Sequence, residues 1–355
     1  MRTTTRRAVW SMYGLCLVML TYACRNEDAE PLKPFSFDAL KNLHLPNAKV
    51  SAPPPVNVTP STITESARAS QLRAALASAQ SGTVDGIIPQ AAGDMANALS
   101  STGATPTGFS SSFSPAVLSA LTSTGALPAG LQGTVNALIA SPSLQPYLIA
   151  YTFPQVNGQF VYPTTTSVVG PGTVSVIAPP IVVFPINYTG DACFKRANDA
   201  FDSAINNLEN ERKNQVATAD ATYSSAKSAA EGDVQGCLSG NLSKYSGLIA
   251  TARQNLNATI GNLNGARLTI GDTNYNLLTA LAYTIYSQQV QAYFNLQLAD
   301  INTCSITSTL KVASAKFARD TDVNSINDAF NTTVKQAQVI ALGLYDACHN
   351  QGSGS

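Results

Sequence analysis

The last proline of the chain is Pro185, and the 170 residues that follow it contain none. Proline costs about 3 kcal/mol inside a helix, so its absence over such a length is a helical signature. Periodicity agrees. Ala197, Phe201, Ala204 and Leu208, then Val216, Ala219, Tyr223, Ala226 and Ala230, fall on one helical stripe, and Tyr245, Ile249, Ala252, Leu256, Ile260 and Leu263 continue it. Leu278, Leu281, Ile285, Tyr293 and Leu296 follow, and later Ile326, Phe330, Val334, Ala337 and Leu344. Arg212 interrupts the apolar set, and the step across it departs from a strict heptad, which argues for nearly straight helices.

Ile270-Gly271-Asp272 places a glycine stop before an aspartate cap, so the chain is predicted to reverse there. Gly232, Gly236 and Gly240 weaken a second place. They superficially resemble a glycine-rich loop, but they follow a helix and read as a break. The β-branched run INTCSITST around Cys304 weakens a third.

Four cysteines lie in this half: Cys193, Cys237, Cys304 and Cys348. Four cysteines allow three pairings. The midpoint of Cys193 and Cys348 and that of Cys237 and Cys304 both fall at 270.5, on the expected reversal. Residues sharing a midpoint lie level in an antiparallel hairpin, so the nested pairing is predicted. Pairing Cys193 with Cys304 would join ends roughly 66 Å apart at 1.5 Å per residue, whereas a disulfide holds its Cα atoms within about 7 Å. Pairing Cys193 with Cys237 would need a reversal where no glycine or proline stands. The fold class predicted is mainly α: a long antiparallel helical hairpin, or a four-helix bundle folded back at the weak points, clamped by two disulfides. A small helical domain and a short β or extended segment precede it.

Residues 62–150 read as that small helical domain. TESARASQLRAALASAQ offers a cap at Thr64 and apolar Leu72, Ala75 and Leu76. Ser114-Pro115 places a cap before a first-turn proline, and Leu131, Val135, Leu138 and Ile139 share a face. Residues 151–190 change to β-branched and aromatic types, with Gly170-Pro171-Gly172 as a predicted hairpin turn. No Asp, Glu, Lys, Arg or His occurs between Asp94 and Asp191. This uncharged stretch is read either as a surface solvated by Ser and Thr or as an interaction surface. Residues 24–61 are proline-rich and read as a tether, residues 191–349 as the bundle, and residues 350–355 as a flexible tail.

The first 23 residues have the layout of a secretion signal. Arg2, Arg6 and Arg7 precede an uncharged apolar run, and small Ala23 precedes Cys24. The string LTYAC resembles a bacterial lipobox, in which the cysteine is freed by cleavage and carries lipid. The Arg-Asn-Glu-Asp-Ala-Glu run after it resembles the acidic leader of Bacteroidota surface lipoproteins. That resemblance implies a membrane anchor at Cys24 and an outer-membrane, cell-surface or periplasmic location. Export into an oxidising compartment agrees with disulfide use. Removing the signal takes away three Arg and leaves 18 basic against 21 acidic residues. No basic surface results, so nucleic acid is not an expected partner.

No catalytic constellation emerges. His44 lies in the tether and His349 in the tail, and the cysteines lack the close spacing of a zinc site. There is no GxSxG elbow, Walker loop or dinucleotide fingerprint, so no metal and no cofactor are expected. Asp191, Asp199, Asp202, Glu209 and Glu211 interleave with Lys and Arg as a solvated helix face. Tyr275, Tyr283, Tyr286, Tyr293 and Phe294 read as core, with an exposed ligand-recognising tip as the alternative. The expectation is a non-enzymatic envelope lipoprotein of structural or adhesive role, binding a protein or glycan. The rivals are a membrane-active, pore-forming-like protein using residues 168–186, and a surface hydrolase.

Overall fold

The computed structural model describes residues 36–180, 182 and 192–351. The signal, Cys24, Asp191 and residues 352–355 lie outside them, as does the His349 side chain. The architecture is mostly helical, with eight helices and a few short strands among the described residues. In chain order these are α1 (Asp38–Lys41), β1 (Val58–Thr59), β2 (Thr62–Thr64), α2 (Ala67–Ala79), α3 (Ile87–Ser100), α4 (Pro106–Ser111), α5 (Pro115–Thr124) and α6 (Ala129–Ala140). A 3₁₀ turn at Gln145–Tyr147 leads to β3 (Ala150–Thr152), β4 (Gln155–Val156) and β5 (Gln159–Phe160), and the long helices α7 (Ala192–Ile270) and α8 (Asp272–Gln351) follow.

Helices α7 and α8 pack as a hairpin. Gly271 ends α7 with φ +82°, a left-handed conformation that favours glycine. Its amide bonds the Arg267 carbonyl at 2.9 Å, and Asp272 opens α8 while pairing with Arg267 at 2.6 Å. The disulfides are Cys193–Cys348 and Cys237–Cys304, each with Cα atoms 5.9 Å apart. Of the two architectures the sequence allowed, the folded-back four-helix bundle is excluded, because both helices run unbroken through the places read as weak. Gly232, Gly236 and Gly240 sit exposed within α7, where each costs only about 1 kcal/mol. Around Cys304 the Thr303 and Thr309 hydroxyls bond the carbonyls of Ala299 and Ser305, four residues back, so the polar run is satisfied inside the helix.

The contacts divide the chain into two compact units. Of the described residues, one unit combines 36–47 with those of 178–214 and with 326–351, and the other combines Ala48–Ile177 with Gln215–Ser325. In the first, Leu40, Phe201, Ala204, Ala337 and Ala341 form one buried cluster, and Leu45, Leu208, Phe330 and Val334 form another. The anomalous Arg212 is accommodated here. It forks onto Glu209 through two 2.7 Å bonds, reaches Asn327 at 3.2 Å, and lies over the Phe330 ring. That hydrogen bond is the main cause holding the Glu209 carboxyl below its ordinary value. Glu211 takes His44 Nδ1 and the Leu45 amide at 2.7 Å each, fastening part of the proline-rich stretch to α7. Burial would raise its pKa, but these bonds outweigh that and lower it.

In the second unit, α2–α6 and the turn end of the hairpin share one core. Leu72, Leu76, Met95, Leu121 and Leu138 pack with Leu256, Leu263, Leu278 and Tyr286. Val135 and Leu138 are buried as the face pattern requires, and Ser114 caps α5 ahead of Pro115. The cap of α2 is Ser66, not Thr64, because Thr64 is taken up in β2 opposite Ala150. Tyr286 and Tyr293 are buried, and Tyr275, Tyr283 and Phe294 pack against the same core. Asp320, fully buried, is paired with Lys316 and Arg319, and Arg319 also reaches Asp220 at 2.6 Å. Burial alone would raise the Asp320 pKa, but its two cationic partners bring the net shift below the ordinary value.

Two strand groups lie in this unit: a sheet of order β1-β4-β5 and a β2–β3 pair, all antiparallel. The turn expected at Gly170-Pro171-Gly172 is not there. The hairpin turn is Asn157-Gly158, with φ of +51° and +78° as a type I′ turn requires. Residues 165–180 have no regular structure. Their backbone is bonded instead by a side chain of α8: Asn324 donates to the Ser175 carbonyl and accepts from the Ile177 amide, both at 2.9 Å.

Two outcomes follow from this construction. Replacing Cys237 and Cys304 together by serine frees a loop of 67 residues, which should lower unfolding free energy by about 4 kcal/mol on the loop-entropy relation. Chemical denaturation of the double variant checks it. Acid should also destabilise the fold. Glu209, Glu211 and Asp320 have lowered folded pKa values, so the unfolded chain takes up protons first. Their stabilisation is present above the ordinary carboxylate values of 4.5 and 3.8 and is lost as pH falls through the folded ones. Thermal melting from neutral pH to below 4 should show it, with a shallower acid slope in Asp320→Asn.

Candidate functional site: an exposed aromatic strip

The uncharged stretch contributes two things to the second unit, the helices α4–α6 and the strands β3–β5. The strands carry the feature of most functional interest. Register places Thr59, Gln155 and Phe160 side by side across β1-β4-β5, with Val58, Val156 and Gln159 on the opposite face. Val156 is fully buried against Val161, Ile306 and Leu310, so its face meets the hairpin. The row ending in Phe160 therefore points away from it.

Four rings continue from that row. Phe160 lies 6.1 Å from Tyr162 at an interplanar angle of 34°. Tyr162 lies 5.0 Å from Phe153 at 67°, and Phe153 lies 5.7 Å from Tyr151 at 87°. Phe153 is half-buried on the main core and supports its neighbours edge to face. The other three stand out: Tyr151 is 36% exposed, Phe160 46% and Tyr162 47%. Among the described residues, the hydroxyls of Tyr151 and Tyr162 and the side chains of Thr59 and Gln155 make no hydrogen bond.

Polar pins from the hairpin hold this strip. Buried Gln288 of α8 brackets Ile149, accepting from its amide at 3.3 Å and donating to its carbonyl at 3.0 Å, which fixes the start of β3. Asn302 donates to the carbonyls of Tyr162 and Pro163 at 3.2 and 2.8 Å. Asp300 accepts from Ser61 at 2.9 Å, from Tyr245 at 2.6 Å and from Lys244 at 3.1 Å, and so sets the entry to β2. Burial, and then the Asp300 carboxylate beside it, push the Tyr245 phenol far above its ordinary value, so it stays a neutral donor. Ser51 is held the same way, its amide and hydroxyl both donating to Asp322.

The buried carboxylates of Asp300 and Asp322 are thus engaged in holding the chain at Ser61 and Ser51, and that of Asp320 pairs with Lys316 and Arg319. Among the described residues, no group of three or more His, Cys, Asp or Glu could hold a metal ion, and no helix is long and apolar enough to cross a membrane. A cavity of about 30 Å³ between α2 and the hairpin, lined by Leu72, Leu256, Ile285 and Tyr286, is too small for more than a water. Of the residues singled out in the sequence, His44 and Glu211 meet, and Asp199 pairs with the neighbouring Lys195 at 2.7 Å. The strip itself was not singled out. Its signal was Asn157-Gly158 flanked by Gln-Val and Gln-Phe, the strongest short hairpin pattern, with an aromatic residue every second position at 160 and 162.

No protein-family model matches this chain, and neither curated proteins nor solved structures show a similar one.

Proposed function

We propose that this chain is a non-enzymatic envelope protein, anchored through lipid on Cys24, whose disulfide-clamped hairpin presents the strip of Tyr151, Phe153, Tyr162 and Phe160 as a binding surface. The observation that carries this reading is the exposure of three rings, Tyr151, Phe160 and Tyr162, in one aromatic strip whose backbone is pinned from the hairpin. Leaving such rings in water is unfavourable by the hydrophobic term, while buried Gln288 and Asp300 and half-buried Asn302 fix the backbone that carries them. Rigid aromatic side chains lose little entropy on binding, which suits them to recognition.

The rival readings have less support. A pore-forming element in residues 168–186 would have to leave the hairpin, yet Asn324 bonds its backbone and Val168 packs with Ile306 and Leu310. A hydrolase needs a carboxylate free to act, whereas Asp300, Asp320 and Asp322 are each committed to structural partners.

Two measurements test the proposal. Metabolic labelling with a clickable fatty acid should mark the chain and fail in Cys24→Ser. Protease treatment of intact cells should remove the hairpin epitope; full protection until the outer membrane is opened would instead place the chain in the periplasm, with a scaffold or envelope-spacing role.

A further inference from the structure

We infer that the outward face formed by Phe160, Tyr162, Gln155 and Thr59 binds an uncharged glycan chain, an inference that rests on the binding-surface reading above and names its ligand class. Phe160 and Tyr162 lie 6.1 Å apart with their planes inclined by 34°, and both are about half exposed, so together they offer aromatic surface to solvent as a small platform. An aromatic face carries negative quadrupole density. The axial C–H groups on one side of a pyranose ring are weakly positive and apolar, and they fit such a face. The hydroxyls around that ring then need neutral donors and acceptors beside the platform. Gln155, next to Phe160 in the cross-strand register, supplies an amide with both, and Thr59, next to Gln155, supplies a hydroxyl.

Charge decides among ligand classes. The strands β3–β5 and their connections lie within a stretch holding no Asp, Glu, Lys, Arg or His from residue 95 to residue 190. An anionic glycan, a phosphorylated headgroup or a charged peptide would lose hydration there with no counter-charge from that stretch to offset it. A neutral polyol makes no such demand. Size points the same way. Two half-exposed rings with two polar neighbours are far smaller than the roughly 800 Å² per partner of a standard protein interface, but they are the scale of one or two sugar units. Asn302 holds the backbone carbonyl of Tyr162 from the hairpin, so the platform is preorganised.

The test is native affinity electrophoresis of the detergent-solubilised full chain in gels cast with dextran, mannan or xyloglucan, and in parallel with anionic alginate. The expected result is retardation in at least one neutral gel, undiminished by added salt because no ion pair is screened. The Phe160→Ala/Tyr162→Ala double variant should bind roughly tenfold more weakly or worse while melting as the parent does, with Gln155→Ala intermediate. No retardation in any neutral gel, retardation in alginate alone, or a double variant that migrates like the parent overturns the inference. Should the double variant melt early, saturation-transfer NMR on the unaltered chain decides: transfer from aromatic protons to sugar ring protons supports the platform, and its absence overturns it. Cell-surface proteolysis reads location and the gels read ligand class, so the two proposals fail separately.

Discussion

The antiparallel register of α7 and α8 is the constraint on which the rest depends. It is set once, at Gly271, and locked at two distances from that point by cross-links that share its midpoint. A helical hairpin of alanine-rich seams could slide by a turn with little change in the apolar contacts made. Cys237–Cys304 and Cys193–Cys348 forbid any such slip, because each fixes two Cα atoms at 5.9 Å. Everything that reads its position from α8, including Gln288, Asp300, Asn302 and Asn324, inherits that register.

Helix α8 differs from α7 in how it is buried. Between Leu277 and Tyr293 nearly every residue is buried or half-buried. Helix α7 covers one side and α2–α6 cover others, as the shared core of Leu76, Leu121, Leu138, Leu256 and Leu278 requires. A helix apolar on all sides is one surrounded by protein, and LLTALAYTIYSQQVQAYF has that character. Four of its polar positions are used inside the unit: Thr279 and Thr284 bond the carbonyls of Tyr275 and Ala280, Gln288 brackets Ile149, and Gln291 donates to Gln132 at 2.6 Å.

This explains what could and could not be read from the sequence. The hairpin and the nested disulfides were legible because they rest on local rules, namely the absence of proline, the Gly271 stop and cysteine spacing. The persistence of helix through Gly232, Gly236 and Gly240 was not, since propensity is a weak prior that packing and a cross-link override. The true hairpin turn was missed for a different reason. Gly170-Pro171-Gly172 has turn composition, but the segment after it finds its hydrogen bonds at Ser175 and Ile177 on Asn324, a partner more than a hundred residues away. Asn157-Gly158 wins because both its residues take up the positive φ that a two-residue reversal demands. Arg212 was legible as an anomaly and not as a solution, because its partners Asn327 and Phe330 lie on the other long helix.

The division of labour between apolar and polar contacts then follows. The strands β1–β5 are two or three residues long, too short to be stable alone. Apolar burial of Val156 and Val161 on Ile306 and Leu310 holds them down but is indifferent to small shifts. Hydrogen bonds are directional, and a buried donor or acceptor left unpaired costs about 1–3 kcal/mol. Buried Gln288, bonding both the amide and the carbonyl of Ile149, therefore selects one placement of the strands from the many that burial alone would allow, and half-buried Asn302 adds bonds to the successive carbonyls of Tyr162 and Pro163. A module without charges cannot fix itself with ion pairs, so the charged and amide groups that do so come from the hairpin, and the exposed rings of Phe160 and Tyr162 stay where that hairpin puts them.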